Sequence, residues 1–193
     1  MKTSVFSQVQ FIILVVICGL VLLTGCTQDP ELNAEVMLTE EKSAVSSVEN
    51  LSEDEISSLM YMVEEEKLAM DVYAEMLQLY GLVIFEKINQ SELRHVEAVS
   101  NLIEKYGLEN PIVDKLPGEF VNEELQLLYD DLITLGSVSK LQAINVGITI
   151  ENKDIVDIQG YFDAVIESKN LEIVYTHLLN GSENHLAAFE QEL

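Results

Sequence analysis

Phe85-Glu-Lys-Ile-Asn-Gln-Ser-Glu-Leu-Arg-His-Val-Glu-Ala-Val-Ser-Asn-Leu-Ile-Glu-Lys-Tyr106 is the stretch that decides the fold. Taking every third or fourth residue gives Phe85, Ile88, Glu92, His95, Val99, Leu102 and Tyr106. That spacing is the apolar seam of a helix packed against a core. One Glu-x-x-His pair, Glu92 and His95, interrupts it. Carboxylates are rarely buried without a partner or a metal, so the pair predicts complementary groups on neighbouring helices.

Three further segments carry the same interruption. The first reads Leu59, Met62, Glu66, Ala69, Tyr73, Met76 and Tyr80, with Glu66 in the middle. The next reads Leu141, Ile144, Ile148, Glu151, Ile155, Ile158, Phe162 and Val165, with Glu151 in the middle. The last reads Leu171, Val174, Leu178, Ser182, His185 and Phe189, placing His185 where a core residue is expected. Glu66, Glu92, His95, Glu151 and His185 are therefore the candidate metal ligands.

Punctuation between these segments sets the element boundaries. Ser52 with Glu55 forms a capping-box pattern, and Gly81 follows Tyr80, which predicts a first helix of about 28 residues, roughly 42 Å long. Gly107 closes the second helix. Leu108 to Val121 contains Pro111, Pro117 and Gly118 and is expected to be an irregular crossover. A shorter helix follows on the stripe Val121, Leu125, Leu128, Leu132 and Leu135, ended by Gly136, Ser137 and Ser139. A core helix is expected from about Lys140 to Ile166 and another from Asn170 to the C-terminus, with Gly181 a weak point inside the latter.

No segment alternates as a strand would, so the expected class is all-α. Two long helix pairs joined by an extended crossover predict a ferritin-like four-helix bundle with an extra short helix in the connection.

The N-terminus is read separately. Lys2, an apolar run from Phe11 to Leu23, and then Leu23-Thr24-Gly25-Cys26 resemble a bacterial-type lipoprotein signal. The run suits the apolar core of a signal peptide better than a membrane span, which needs roughly 20 residues. The resemblance implies cleavage before Cys26, acylation of that cysteine and attachment to a lipid bilayer on the extracytoplasmic side of the cell envelope. An uncleaved anchor is the alternative. The expected organisation is a signal peptide over 1–25, a flexible acidic tether over 26–51 and a helical domain over 52–193.

Composition narrows the chemistry. The two cysteines, Cys18 and Cys26, both lie in or beside the leader. The helical domain thus has no thiolate for a disulfide, a nucleophile or a rubredoxin-like iron site. Any metal must be held by oxygen and nitrogen, which suits iron, manganese or zinc. The formal charge of −24 makes nucleic acid a poor partner.

In bundles of this kind a dinuclear centre takes one Glu from each of two helices and a Glu-x-x-His from each of the other two. Residues three apart share a helix face, so both can reach one ion. The order here is single, pair, single, and then Ser182 with His185, where the second bridging carboxylate would be expected at 182. Three acids offer three negative charges against four positive charges on two divalent ions. The missing anion is either a hydroxide or a nearby acid, for which Glu65, Asp154 and Glu183 are candidates, and Ser182 itself is a candidate for a weaker ligand. A single ion held by Glu66, Glu92 and His95 needs no such completion. Arg94 either pairs with a nearby carboxylate or faces solvent; Tyr73 is either core or a hydrogen-bond donor or electron carrier at the site. His177, off the seam, reads as structural.

Glu64 to Tyr73 (Glu-Glu-Glu-Lys-Leu-Ala-Met-Asp-Val-Tyr), Ser91 to His95 (Ser-Glu-Leu-Arg-His) and Gly181 to Phe189 (Gly-Ser-Glu-Asn-His-Leu-Ala-Ala-Phe) resemble the prokaryotic family catalogued as domain of unknown function 2202. The likeness extends from about Ser52 to the C-terminus and places the chain near the ferritin-like superfamily. That superfamily implies two irons and ferrous oxidation, electron transfer, or dioxygen or peroxide handling. The competing expectation is a non-catalytic envelope lipoprotein, with a structural metal or none, serving as an interaction module.

Overall fold

The computed structural model describes residues 50–193. They form five helices: α1 (Glu53–Tyr80), α2 (Val83–Lys105), α3 (Glu123–Gly136), α4 (Lys140–Ala164) and α5 (Lys169–Glu190). There is no strand among the described residues. α1 packs on α2 and α4 on α5, and the two pairs meet through α2 against α5 and α1 against α4. α3 lies against α1 and α4. The result is a four-helix bundle with the short α3 in the long connection between its halves. The leader and most of the tether lie outside the described residues. Among the described residues no helix is long and apolar enough to cross a membrane.

Local chemistry explains the ends. Ser52 caps α1 through the Glu55 amide, and Glu55 returns a bond to the Ser52 amide at 2.9 Å. The second Glu55 oxygen accepts the amides of Glu167 and Ser168, at 2.9 and 2.6 Å, so one side chain caps α1 and pins the α4–α5 turn. Gly81 at φ 64° and Gly107 at φ 66° take the left-handed conformation that ends α1 and follows α2. With only two residues between α1 and α2, the chain reverses and the helices run antiparallel.

α1 is buried on all sides from Met62 to Ala69, including Glu64, Glu65, Glu66 and Lys67. Its outer face is covered by the crossover. Glu64 accepts the amides of Val121 and Asn122 at 2.5 and 3.1 Å. Asp71 accepts the Gly118 amide at 2.9 Å and pairs with Lys67, which also donates to the Leu116 carbonyl at 3.0 Å. These charges replace the backbone partners that an irregular segment lacks. Glu64 and Asp71 are thereby committed to structure.

Two apolar clusters fill the bundle. One contains Tyr73, Met76, Phe85, Ile144, Val146 and Phe189; the other contains Leu59, Met62, Val99, Leu102, Leu171 and Leu178. On every long helix the segment between them carries buried polar residues: Glu65 and Glu66, Glu92 and His95, Glu151 and Asp154, and Ser182 and His185. A polar layer thus crosses the middle of an otherwise apolar bundle.

The inward face of α4 differs from the expected one. Leu141 is 56% exposed, and the buried face runs Ala143, Ile144, Gly147, Ile150, Glu151, Asp154 and Ile158. Ile148 and Ile155, expected in the seam, are half-buried. The physical reason is at Gly147, where a Cβ would come within 2.6 Å of the Phe189 ring, so the helix turns its glycine toward α5. On α5, Tyr175 rather than Val174 is buried, its hydroxyl 3.1 Å from that of Ser58. α4 also ends at Ala164, two residues short of the expected Ile166.

Candidate metal centre

Glu66, Glu92, His95, Glu151 and His185 are brought together from four helices and are all buried. They form two triads, Glu66–Glu92–His95 and Glu92–Glu151–His185, each offering one donor atom per residue with all three atoms within 4.8 Å of one another. Glu92 belongs to both. Its Oε2 lies 2.8 Å from His95 Nδ1 and its Oε1 lies 2.7 Å from His185 Nδ1. His95 Nδ1 is also 3.1 Å from Glu66 Oε2, and His185 Nδ1 is 3.5 Å from Glu151 Oε2. The two imidazoles stack with centroids 5.6 Å apart and planes at 26°.

Each imidazole nitrogen therefore faces two carboxylates, but one N–H can serve only one of them well. Atoms bound to an ion at about 2.0–2.2 Å, at right or tetrahedral angles, sit about 3.0–3.5 Å from one another. The observed 2.7 to 3.5 Å spacings span that range. The unpartnered buried side-chain atoms among the described residues all fall in this layer: Glu65 Oε2, Glu66 Oε1, both oxygens of Glu92, Glu151 Oε2, both oxygens of Asp154, and His185 Nδ1. Native interiors leave few polar atoms orphaned. Glu92 is close to both histidines without being aligned for a hydrogen bond to either. The residues of each triad fit a cation held by oxygen and nitrogen donors.

Electrostatics without an ion are strained in a consistent direction. Burial pushes Glu66 up to about 8 and Glu151 up to about 7, with Glu92 adding repulsion to both. For Glu92 itself burial opposes ionisation, but His185 and His95 overcome it and hold the carboxyl at about 2. Burial likewise opposes charge on the histidines, while Glu66 and Glu92 raise His95 to about 10, and Glu151 and Glu92 raise His185 to about 9. Protons thus stand where cations would otherwise balance the acids.

The remaining candidates separate cleanly. Tyr73 is fully buried between Phe85 and Phe189 and donates to Glu151 Oε1 at 2.7 Å, so it is at once core and site. Ser182 is buried, but its hydroxyl donates to the Leu178 carbonyl at 3.2 Å. Glu65 is buried and paired through Oε1 with Lys153 at 2.5 Å. Asp154 is buried with neither oxygen partnered. Arg94 and Glu183 are exposed and take no part, and His177 is exposed rather than structural.

One contributor was not anticipated. Gly181, read from the sequence as a weak point of α5, lies under the His95 ring: a Cβ there would approach Cε1 within 2.5 Å and Nε2 within 2.6 Å. The absent side chain makes the space that the imidazole occupies. The available signal was its position, a glycine inside a helix and four residues before His185, where its cost needs a packing reason.

An all-helical bundle with a buried acid–histidine layer able to hold cations is the class that this fold and site define. Within it, residues 55–193 match the family described as Uncharacterized protein domain (DUF2202), and the chain belongs to that family. It is 38% identical over 143 residues to Uncharacterized protein MJ0754 of Methanocaldococcus jannaschii, covering 74% of this chain and 77% of that protein. The crystal structure of hypothetical protein MJ0754 aligns with a TM-score of 0.72 over 75% of this chain and 82% of that one. A DUF305 fragment from Deinococcus radiodurans shares the fold, with a TM-score of 0.59 at 14% identity over 73% of this chain and 95% of the fragment.

Proposed function

We propose that this chain is a ferritin-like dinuclear metal protein that binds two iron ions and acts in ferrous oxidation or in dioxygen or peroxide chemistry. The observation that carries the reading is Glu92, whose two oxygens each lie within 2.8 Å of a different histidine while neither makes a hydrogen bond. A carboxylate so placed could be shared by two ions, one on each oxygen. Glu66 with His95 would hold one ion and Glu151 with His185 the other. When bound, a pair of irons supplies electrons to dioxygen or peroxide and polarises its oxygen atoms.

The chain's own residues give that chemistry its setting. The apolar clusters above and below the layer exclude water. Tyr73 fixes one oxygen of Glu151, leaving the other for an ion. Both histidines present Nδ1 inward, so loading an ion requires that proton to leave. Manganese or zinc would satisfy the same donors, and iron is the metal that the resemblance to ferritin-like proteins implies.

The lipoprotein reading of Leu23 to Cys26 would hold this bundle at the surface of a membrane, with the chain between Cys26 and Ser52 as its tether. Mass spectrometry of the mature N-terminus tests that placement, an acylated Cys26 being the expected result.

Metal analysis of the detergent-solubilised full chain after aerobic reconstitution with ferrous iron tests the main reading. Two irons per chain are expected, with ferrous oxidation coupled to consumption of oxygen or peroxide and lost in Glu92→Gln. Full loading without any oxidation would instead favour a structural metal.

A further inference from the structure

The dinuclear reading leaves one feature unexplained. Two divalent ions carry four positive charges, and Glu66, Glu92 and Glu151 offer three negative ones. The residue positioned to supply a fourth from α5, Ser182, spends its hydroxyl on its own helix. Elsewhere in the layer one acid has no assignment. Asp154 is 1% exposed, one helical turn beyond Glu151 on the inward face of α4, and neither of its oxygens has a partner.

We propose that Asp154 is the fourth carboxylate of the centre, supplying from α4 the charge that Ser182 does not supply from α5. Residues three apart on a helix stand about 5–6 Å apart at Cβ on one face, so Asp154 and Glu151 address the same region. Asp154 lies outside both triads, so it joins the centre only when its carboxylate swings toward Glu151 as an ion is loaded. The cation next to it in sequence, Lys153, does not relieve it. That ammonium is engaged by Glu65, Asp157 and the Tyr61 hydroxyl, at 2.5, 2.5 and 2.7 Å.

Water does not relieve it either. Asp154 and Glu65 line a cavity of about 10 Å³ whose other walls are Leu68, Leu128, Leu132 and Ile150 with Thr149 and Lys153. That is room for about one water molecule, which can accept or donate hydrogen bonds but cannot neutralise an anion. An isolated acid in this position must either keep a proton or face a cation.

This inference rests on the dinuclear reading, and the test separates the two. Manganese(II) alone is titrated into the metal-depleted, detergent-solubilised full chain, with bound ions counted and the manganese resonance recorded. The wild type is expected to bind two ions as a magnetically coupled pair. Asp154→Asn, nearly identical in shape, is expected to bind one ion with an isolated six-line signal, or to bind the second at least tenfold more weakly. Asp154→Glu keeps both ions. Adding Ser182→Glu to Asp154→Asn restores the pair by returning a carboxylate from α5. Circular dichroism confirms that each variant is folded.

Equal binding of two ions by the wild type and Asp154→Asn would overturn the assignment while leaving the dinuclear reading intact. Failure of the wild type to bind a second ion would overturn both.

Discussion

Gly181 on α5 supports His95 on α2 by having no side chain: the ring atoms Cε1 and Nε2 occupy the space within 2.5 and 2.6 Å of where a Cβ would stand. A glycine that lowers helix stability therefore raises the precision of a ligand. Ala in place of Gly in a helix ordinarily stabilises by about 0.5–1 kcal/mol. Gly181→Ala is expected to do the opposite, lowering the thermal midpoint and weakening metal affinity at least tenfold, because the ring must rotate away from Glu66 and Glu92. Gly160→Ala is the control. That glycine lies on α4 with nothing within 4 Å of its notional Cβ, and its replacement should stabilise by about 0.5–1 kcal/mol with binding unchanged.

Tyr73→Phe tests the tie between the aromatic cluster and the centre. The ring contacts to Phe85 and Phe189 remain, while Glu151 Oε1 loses the donor at 2.7 Å. A buried hydrogen bond to an ionised group is worth about 1.5–3 kcal/mol. Urea unfolding of the metal-free variant at pH 8, above the value of about 7 to which Glu151 is raised, is expected to show a loss of that size. The loss should shrink when metal is bound, because an ion then also holds Glu151. An equal loss with and without metal would place Tyr73 in the core alone.

The protonation pattern predicts how stability depends on pH. His95 and His185, raised to about 10 and 9 in the folded chain, contribute stability fully below their unfolded value near 6.5 and lose it as pH rises through 9 and 10. Glu66 and Glu151, raised to about 8 and 7, penalise folding increasingly above their unfolded value near 4.5. Both effects run the same way, so the metal-free chain should lose stability from about pH 4.5, as the two acids ionise, through about pH 10, as the two histidines lose their protons. Glu92, held at about 2, acts oppositely and matters only as pH falls from about 4.5 toward 2. Metal affinity should rise over the interval in which the metal-free fold weakens, with proton release on binding. Denaturant midpoints against pH, with and without metal, check this; a flat metal-free profile would refute it.

Lys153 holds together the acids on the outer side of the layer. Lys153→Met leaves Glu65, buried at 1% exposure, without its ammonium. Removing one member of a buried pair costs about 3–5 kcal/mol, and the partial exposure of Lys153 argues for about 2–3 kcal/mol here. Chemical denaturation measures it. Burial pushes Glu65 up to about 7 even with the lysine present, so the variant's deficit should be smaller at pH 5, where the acid is neutral.

Much of this was legible in the sequence, for reasons specific to each helix. α2 was fully readable because Glu92 and His95 interrupt an unbroken apolar seam, and every other seam residue except the half-buried Tyr106 is buried. The capping box at Ser52 and Gly81 placed the ends of α1 correctly. α4 was misread by one position along part of its face. A search for apolar residues favours Ile148 and Ile155, whereas the helix turns Gly147 and Asp154 inward to admit Phe189 and to complete the polar layer. The roles of Glu64 and Asp71 were invisible as well, since their partners are backbone amides in a crossover with no periodicity of its own. Gly181 needed the third dimension, because its partner lies on another helix.

The claim that everything else depends on is that Glu92 bridges two ions. Its most direct measurement is a crystal structure of the chain grown with manganese or ferrous iron, with the metal located by anomalous scattering. Two peaks are expected, one beside His95 Nδ1 and Glu66 and the other beside His185 Nδ1 and Glu151, with one oxygen of Glu92 on each. A map with no peak in the layer, its five side chains hydrogen-bonded only to one another, would contradict the account.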